Sequence, residues 1–513
     1  MPSLLSQLTY TPTELSFGTS GLRGLVRDMT DLECYINTRG FINFLRTDQQ
    51  LETGSAIYYA GDLRDSTPRI SASVLAAIVD AGFTPRYCGL IPTPTLAYYA
   101  EQNNAPCVMV TGSHIPVDRN GIKFYKRDGE VLKSDENAIK TAVSIIRQEI
   151  YNHDTETSPF NSDGTLKNLS KLPDPDEEAA NTYISRYRLA FSGHALKGKK
   201  VVLYEHSAVG RDILAIILKN LGANVVTVGR SEEFVAIDSE NVTDENRAYF
   251  KQLAAENEGC FAIVSTDGDS DRPFVIDESG IFHRGDELGA VVAEWLGANF
   301  AVYPISSNDA VDKFLSMMGT PYQHTKIGSP YVIEAMRAST ADRIAGWEVN
   351  GGFLLGTAIT TNQGTLEPLQ TRDSILPIVV ALVASSEAEA TVSKLFSALP
   401  DRYTHAGLID NFPIETAEKI IATFSTNTPE VRKKLESFFS PEDGFSTIKE
   451  LNTLDGIRIY FENGDIVHIR PSGNAPQLRA YSVAASQQRA DEIIRLCLAE
   501  PSGILRLLGN TSA

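Results

Sequence analysis

The sequence predicts an α/β protein of several domains that closes on a C-terminal α+β domain, and three observations carry that prediction. Strand-like apolar runs alternate with helix-periodic runs through most of the chain, the grammar of βα units around a mixed or parallel sheet. A length of 513 residues calls for several domains at roughly 150 residues each. The last stretch then changes grammar. Two strand-like runs, 456–462 and 465–470, are joined through Asn463-Gly464, a strong hairpin signal, and two helical patterns follow.

The first segment begins with a glycine-rich loop, Phe17-Gly-Thr-Ser-Gly-Leu-Arg-Gly24. It then alternates strands at 56–60 and 107–110 with helices at 70–81 and 95–101. Residues 153–176, rich in Asp, Ser, Thr, Pro and Asn, read as a linker. The second segment repeats the pattern: a strand at 200–205, a helix at 212–221, a strand from Asn224, and two strands around the acidic loop Asp267-Gly-Asp-Ser-Asp-Arg272. The third carries a helix from Gly285, a strand at 301–305 and the run Gly346-Trp-Glu-Val-Asn-Gly-Gly352, and a helix at 391–399 before Pro400 ends it. The expected domains are 1–158, 159–281, 282–400 and 401–513.

Composition narrows the function. Hydrophobic content of 42% and charged content of 22% are those of an ordinary globular protein. A net charge of −19 argues against nucleic acid or an anionic membrane as partner. An anionic substrate must therefore be held by local clusters of Arg, Lys and backbone N–H. The N-terminal residues have no signal-peptide pattern, and the longest apolar run, 375–384, falls short of the about 20 residues a membrane helix needs. Five scattered cysteines without a CxxC pair read as reduced core thiols, so a cytoplasmic location is expected.

Four motifs carry chemistry. In Val110-Thr-Gly-Ser-His-Ile-Pro-Val-Asp-Arg-Asn-Gly-Ile-Lys-Phe124 a hydroxyl, Ser113, sits on a tight loop beside His114, with Lys123 ten residues on. That suits a side chain which receives and returns a phosphoryl group; alone it suits an N-cap or turn residue equally well. Asp267, Asp269 and Asp271 stand at i, i+2 and i+4, a spacing that lets three carboxylates converge on one hard cation. An EF-hand is excluded because Arg272 stands where that loop needs glycine, and the flanks are strands. Arg470-Pro-Ser-Gly-Asn-Ala-Pro-Gln-Leu-Arg479 offers Ser472, Gly473, Asn474 and two guanidiniums, Arg470 and Arg479, to a phosphate dianion. The run 346–352 places Glu348 and Asn350 on one side of an extended strand, where they could accept from two vicinal sugar hydroxyls; Trp347 reads as core. Walker and Rossmann glycine motifs are absent.

These four motifs, taken in chain order within a match that runs from Phe17 to Arg479, resemble the α-D-phosphohexomutase family. The resemblance implies a heart-shaped, four-domain architecture, three α/β mixed-sheet domains plus a C-terminal α+β domain. It implies a Mg²⁺-dependent interconversion of hexose 1-phosphate and hexose 6-phosphate (mannose and/or glucose) through a phosphoserine, with a hexose 1,6-bisphosphate as intermediate and activator. By the same resemblance Ser113 carries the phosphoryl group and joins Asp267, Asp269 and Asp271 as a metal ligand. Arg23, Lys123 and Arg272 match residues near the transferring phosphate, and Lys326 resembles a substrate-contacting lysine. Glu348 and Asn350 match the sugar loop, and Arg470, Ser472 and Asn474 the grip on the other phosphate. His114 and Lys123 both remain as bases. Departures are visible. Gly112 and Ile115 replace Ala and Asn in the serine loop, the glycine loosening the turn; Ser270 replaces Gly; Asn350 and Gly352 replace Ser and His in the sugar loop. The sugar therefore stays open, and an amino-sugar mutase or a bisphosphate synthase uses the same residues. The expected partners are small hexose phosphates, with a monomer or homodimer as the assembly. A non-catalytic sugar-phosphate binding protein is the rival from another class, disfavoured by the intact Ser113 and aspartates.

Overall fold

The computed structural model describes residues 2–18, 21–472 and 476–512, and its elements divide into two compact units. One comprises Met1–Ala301 with Gly328–Phe396, the other Val302–Ile327 with Ser397–Ala513.

The first unit begins with a seven-stranded mixed sheet. Ser16–Phe17, Gly21–Leu25, Arg119–Lys126, Cys107–Val110, Ala56–Gly61 and Thr84–Leu90 lie in that order, with Gly129–Glu130 on Arg119–Lys126. Ala56–Gly61 pairs in parallel with both its neighbours, and Arg119–Lys126 runs antiparallel to Cys107–Val110. Cys107–Val110 is apolar on both faces because helices cover both, so its sequence is continuous rather than alternating. Below it Phe41 and Phe124 stack with centroids 4.4 Å apart. The glycine-rich loop ends as a true strand, Gly21–Leu25, in which Arg23 faces Gly121 of the neighbour.

A second sheet orders Phe282–His283, Pro273–Ile276, Ala262–Thr266, Lys200–Tyr204 and Asn224–Val228. Ala262–Thr266 is parallel to Lys200–Tyr204 and antiparallel to Pro273–Ile276, so the acidic loop leaves the carboxyl end of a central strand. That edge is where open α/β sheets present ligand sites. Farther on, Ile344–Trp347, Phe353–Leu355 and Leu369–Asp373 pair antiparallel. Residues 153–176 do not hang free as a linker. Phe160 is fully buried against Leu4, Leu32 and Ile36, edge-on to Tyr35 at 5.2 Å. Leu166 joins the same cluster, and Leu166 N donates to Asp31 Oδ2 at 3.0 Å, so two apolar side chains and backbone bonds anchor the segment.

In the second unit a five-stranded antiparallel sheet runs Tyr403–Asp410, Gln477–Ala484, Ile466–Pro471, Ile457–Phe461, Ile448–Asn452. Helices Ile414–Phe424 and Gln487–Leu498 pack on it around a core that includes Ile459, Val467 and Ile493. The Asn463-Gly464 turn forms, but only Gly464 takes a positive φ (+86°), and its N–H donates to Phe461 O at 3.0 Å. It is a type I turn closed by a left-handed glycine, the next-commonest hairpin solution to the two-residue turn that Asn-Gly suggests. No helix among the described residues is long and apolar enough to cross a membrane, and all five cysteines are buried and unbridged.

Candidate active site

Ser113 leaves the carboxyl end of Cys107–Val110 on a sharp turn. Its φ is +54°, a left-handed conformation that costs a residue with a Cβ about 1–2 kcal/mol. The turn is over-determined from beneath by Arg64, itself 2% exposed. Arg64 Nη2 donates to the carbonyls of Ser113 (2.9 Å) and Ile115 (2.6 Å), and Nη1 to those of Pro116 (2.8 Å) and Arg119 (3.0 Å). Arg64 Nε reaches Asp62 Oδ2 at 3.2 Å, and Asp62 also accepts from the hydroxyls of Thr67 (2.6 Å) and Thr111 (2.8 Å). Gly112 does more than loosen the turn. A Cβ there would lie 2.7 Å from Arg64 Cζ and Nε, so the guanidinium occupies the space a side chain would need.

The acidic loop meets this serine. Ser113 Oγ donates to Asp267 Oδ2 at 2.6 Å, while Asp267 Oδ1 accepts the backbone N–H of Asp271 and Arg272, both at 3.1 Å. Oxygens of Asp267, Asp269 and Asp271 lie within 4.8 Å of one another, the one such acid cluster able to hold a metal among the described residues. Burial, reinforced by the charges of Asp269 and Asp271, pushes the Asp267 carboxyl well above the usual carboxylate range. Burial also works against the Asp271 carboxylate, yet Arg372, Lys123 and Arg272 together hold it far below that range. Asp269 Oδ1 and Asp271 Oδ1 are buried without hydrogen-bond partners. Two orphaned hard oxygens beside a third buried carboxyl are a donor set that fits a divalent cation.

Ser270 explains how the loop tolerates a residue other than glycine. Its φ is +59°, and its Oγ accepts from Gly210 N (2.9 Å) and bonds Thr266 Oγ1 (2.8 Å), while its carbonyl accepts from Ser374 Oγ (2.6 Å). Short polar side chains visit the left-handed region when such local bonds are available.

Cations close the other side. Lys123 Nζ lies 2.6 Å from Asp269 Oδ2 and 2.7 Å from Asp271 Oδ2; burial disfavours its charge, but these carboxylates raise its pKa above the ordinary lysine value. Arg272 Nη1 donates to Asp238 Oδ1 at 3.1 Å, and its buried Nε has no hydrogen-bond partner. His114 Nδ1 is 3.3 Å from Ser113 Oγ. Burial first, then the charges of Arg272 and Arg23, drive the pKa of His114 far below the ordinary histidine value, so the ring is neutral at physiological pH.

Glu348 and Asn350 do not share one side of an extended strand. The strand ends at Trp347, which is fully buried, and Glu348–Gly352 turn back, with Glu348 N donating to Gly352 O at 3.1 Å and Gly351 N to Glu348 O at 2.9 Å. Glycines at 351 and 352 favour this turn; Gly351 has φ +86°. Glu348 Oε2 accepts from Arg372 Nη1 at 2.8 Å, and Asn350 Nδ2 donates to Glu240 Oε1 at 3.0 Å.

Lys326, Arg470, Ser472 and Arg479 belong to the second unit. There Asp455 gathers two of the predicted segments, accepting from Ile327 N (2.9 Å), beside Lys326, and from Arg470 Nε (3.0 Å). Arg470 and Arg479 are direct cross-strand partners, which puts two like charges on one face, and Arg479 Nε is buried with no hydrogen-bond partner. Such a pairing is unfavourable until an anion sits between the charges. Ser472 N donates to Gln477 O at 2.9 Å. Gly473 and Asn474 lie outside the described residues.

Family models described as phosphoglucomutase/phosphomannomutase alpha/beta/alpha domains I, II and III match residues 14–149, 181–280 and 284–403, and the C-terminal domain model matches 415–495. A phosphomannomutase of Sinorhizobium fredii is 39% identical over 488 residues, covering 94% of this chain and 98% of the relative. This chain belongs to the phosphoglucomutase/phosphomannomutase family. It is thereby an enzyme, an isomerase of the phosphomutase kind. Solved structures agree on the fold. A family protein from Burkholderia thailandensis matches at a TM-score of 0.69 with 18% identity, over 96% of this chain and 99% of that one. Aspergillus fumigatus N-acetylphosphoglucosamine mutase, solved with GlcNAc-6P and magnesium, matches at 0.57 with 13% identity, over 99% and 100%.

Three residues of this phosphomutase escaped the sequence reading: Asp62, Arg64 and Arg372. The first two stand in Gly61-Asp-Leu-Arg64 after an apolar strand, a βα-loop position that could have drawn attention. Arg372 carried no signal, because nothing local marks a buried arginine at a strand end.

Proposed function

We propose that the protein is a Mg²⁺-dependent phosphohexomutase that interconverts hexose 1-phosphate and hexose 6-phosphate, with mannose or glucose as the sugar. One observation carries the reading: the hydroxyl of Ser113 points into a buried triad of carboxylates, 2.6 Å from Asp267, while Lys123 stands against the other two. In this reading Ser113 works as a phosphoserine. Its Oγ–P bond breaks as a hexose hydroxyl forms the new O–P bond, giving a 1,6-bisphosphate. The bisphosphate turns over and returns its other phosphoryl group to Ser113 Oγ, leaving the isomeric monophosphate. Asp267, Asp269 and Asp271 would hold a magnesium ion, which when bound would supply charge neutralisation at the transferring group.

The chain's own residues supply position and field. Arg64 keeps the serine turn in place under load, so the nucleophile needs no reorganisation. Lys123 and Arg272 add fixed positive charge, which suits a transfer whose loose transition state spreads charge over the phosphoryl oxygens. Glu348 and Asn350 are proposed as the sugar-recognising pair, Lys326 as a substrate-contacting lysine, and Arg470, Ser472, Gly473, Asn474 and Arg479 as the grip on the phosphate not being transferred. The domains are proposed at 1–158, 159–281, 282–400 and 401–513, one motif in each.

The test is a coupled assay on mannose 1-phosphate, glucose 1-phosphate and glucosamine 1-phosphate, with Mg²⁺ and a trace of the matching 1,6-bisphosphate. Turnover ranks the sugars, release of bisphosphate in stoichiometric amounts points to a synthase, and silence on all three refutes the reading. Ser113→Ala should lower turnover by at least about a thousandfold with the melting temperature unchanged, the scale on which loss of a nucleophile is felt.

A further inference from the structure

Arg372 bridges a carboxylate of the acidic loop, Asp271, and a carboxylate of the sugar loop, Glu348. It stands at the end of strand Leu369–Asp373, 5% exposed. Its Nε donates to Asp271 Oδ2 at 3.0 Å, its Nη2 lies 3.0 Å from the same oxygen, and its Nη1 donates to Glu348 Oε2 at 2.8 Å and Ser329 Oγ at 3.2 Å. Because Arg372 and Lys123 both occupy Asp271 Oδ2, the other oxygen of Asp271 is the one left over for a cation. The same guanidinium fixes the rotamer of Glu348.

Space tells the same story. A Cβ at Gly352 would come within 2.7 Å of Arg372 Cγ and Cδ and 2.9 Å of its Cβ, so the arginine stem fills the volume of a side chain at 352. These stem atoms cannot swing away without dragging the guanidinium off both carboxylates. The glycine therefore makes room for an arginine that arrives from another strand. The strand end itself is held rigidly. Asp373 accepts from Tyr183 (2.6 Å), Tyr187 (2.7 Å) and Arg186 (3.0 Å) and caps Ile375 N at 2.9 Å, while the adjacent Thr371 hydroxyl is held by Glu130.

We propose that Arg372 is a positioning and specificity-determining residue that, acting through Asp271 and Glu348, couples the metal loop to hexose recognition. This rests on the phosphohexomutase reading for its sugar half and on the acid triad alone for its metal half. A planar fork spans two carboxylates; a lysine ammonium is a point charge that can serve only one of them well.

The test is Arg372→Lys, with Gly352→Ala as an independent way to displace the same stem. Mg²⁺ affinity is read by calorimetry on the isolated protein, and kcat and KM for the preferred hexose 1-phosphate by the coupled assay. Both variants are expected to weaken Mg²⁺ binding and raise KM together, each about tenfold, the scale on which residues behind metal ligands act. The ratio of mannose to glucose turnover should also move, because Glu348 loses its fixed orientation. A variant that melts earlier but keeps wild-type Mg²⁺ affinity, KM and sugar ratio would reduce Arg372 to a structural residue and overturn the proposal. If the wild type turns over no hexose phosphate, the mutase reading fails. The calorimetry then decides the metal half by itself: unchanged affinity in Arg372→Lys refutes it, and a tenfold loss upholds it.

Discussion

Two strand ends in this molecule gather basic residues, and they do it in opposite ways. Around Ser113 the charges are interior. Arg64, Lys123, Arg272 and Arg372 are each less than a tenth exposed; Arg64, Lys123 and Arg372 face carboxylates that are buried as well, while Arg272 donates to the half-buried Asp238. At Arg470 the arrangement is open. Arg470 and Asp455, to which it donates, have side chains 20% and 16% exposed, and the cross-strand neighbour Arg479 has a buried guanidinium nitrogen with no hydrogen-bond partner. The first region leaves two carboxylate oxygens and Arg272 Nε without hydrogen bonds; the second leaves Arg479 Nε without one, beside the like charge of Arg470. Preorganised, dry charge suits a step in which charge moves, whereas half-buried donors suit a step in which a ligand is picked up and let go.

The sharpest way to break the contrast is to remove one partner from each region. Arg64→Met leaves Asp62 buried without its cation and four carbonyls without their donor. We expect a loss of about 3–5 kcal/mol of stability, the range for breaking a buried pair, together with a large fall in turnover. Thermal or denaturant unfolding checks the first and the coupled assay the second; a variant that melts like the wild type would show that the interior pairing is dispensable. Arg470→Ala should do the reverse. Stability should change by about 1 kcal/mol or less, while sugar-phosphate binding weakens by about 1.5–3 kcal/mol for one lost charged hydrogen bond. Direct titration with the substrate analogue of choice reads that loss.

The smallest effect concerns a neutral group behind the open region. His468 is fully buried in strand Ile466–Pro471, with Nε2 2.6 Å from Asp455 O. Burial first, then the Arg458 charge, lowers its pKa to about 4. The folded state thus takes up a proton later than the unfolded chain, whose histidine titrates near 6.5. The stabilisation is complete above about pH 6.5 and is lost as pH falls toward 4, amounting to about 2 kcal/mol by pH 5. His468→Gln should flatten that part of the stability profile, measured as unfolding midpoint between pH 7 and 5. An unchanged slope would mean that other groups dominate the acid response.

Local sequence was informative wherever one segment contains both the chemistry and the backbone that shapes it. The Asp267–Arg272 loop is legible because alternation of carboxylates in a short turn between two apolar strands leaves few arrangements. Likewise 107–110 and 262–266 read as strands because continuous apolar runs bounded by turn residues have few other uses. The turn at Glu348 was misread for the same local reason: glycines at 351 and 352 permit an extended chain as readily as a reversal, and only pairing between Ile344–Trp347 and Phe353–Leu355 chose the reversal. Phe160 and Leu166 show the limit of composition, since a polar segment can be fastened by two apolar side chains and a few backbone hydrogen bonds.

By itself, then, the sequence determined the fold class, the family and the serine and aspartates that face each other, because each of those is written in contiguous residues with their own backbone constraints. Tertiary structure alone decided that Arg64 clamps the serine turn and that Arg372 spans Asp271 and Glu348. A long arginine side chain reaches partners tens to hundreds of positions away in the chain, and burial, which makes its pairing strong, is a property of the packed molecule rather than of any stretch of sequence.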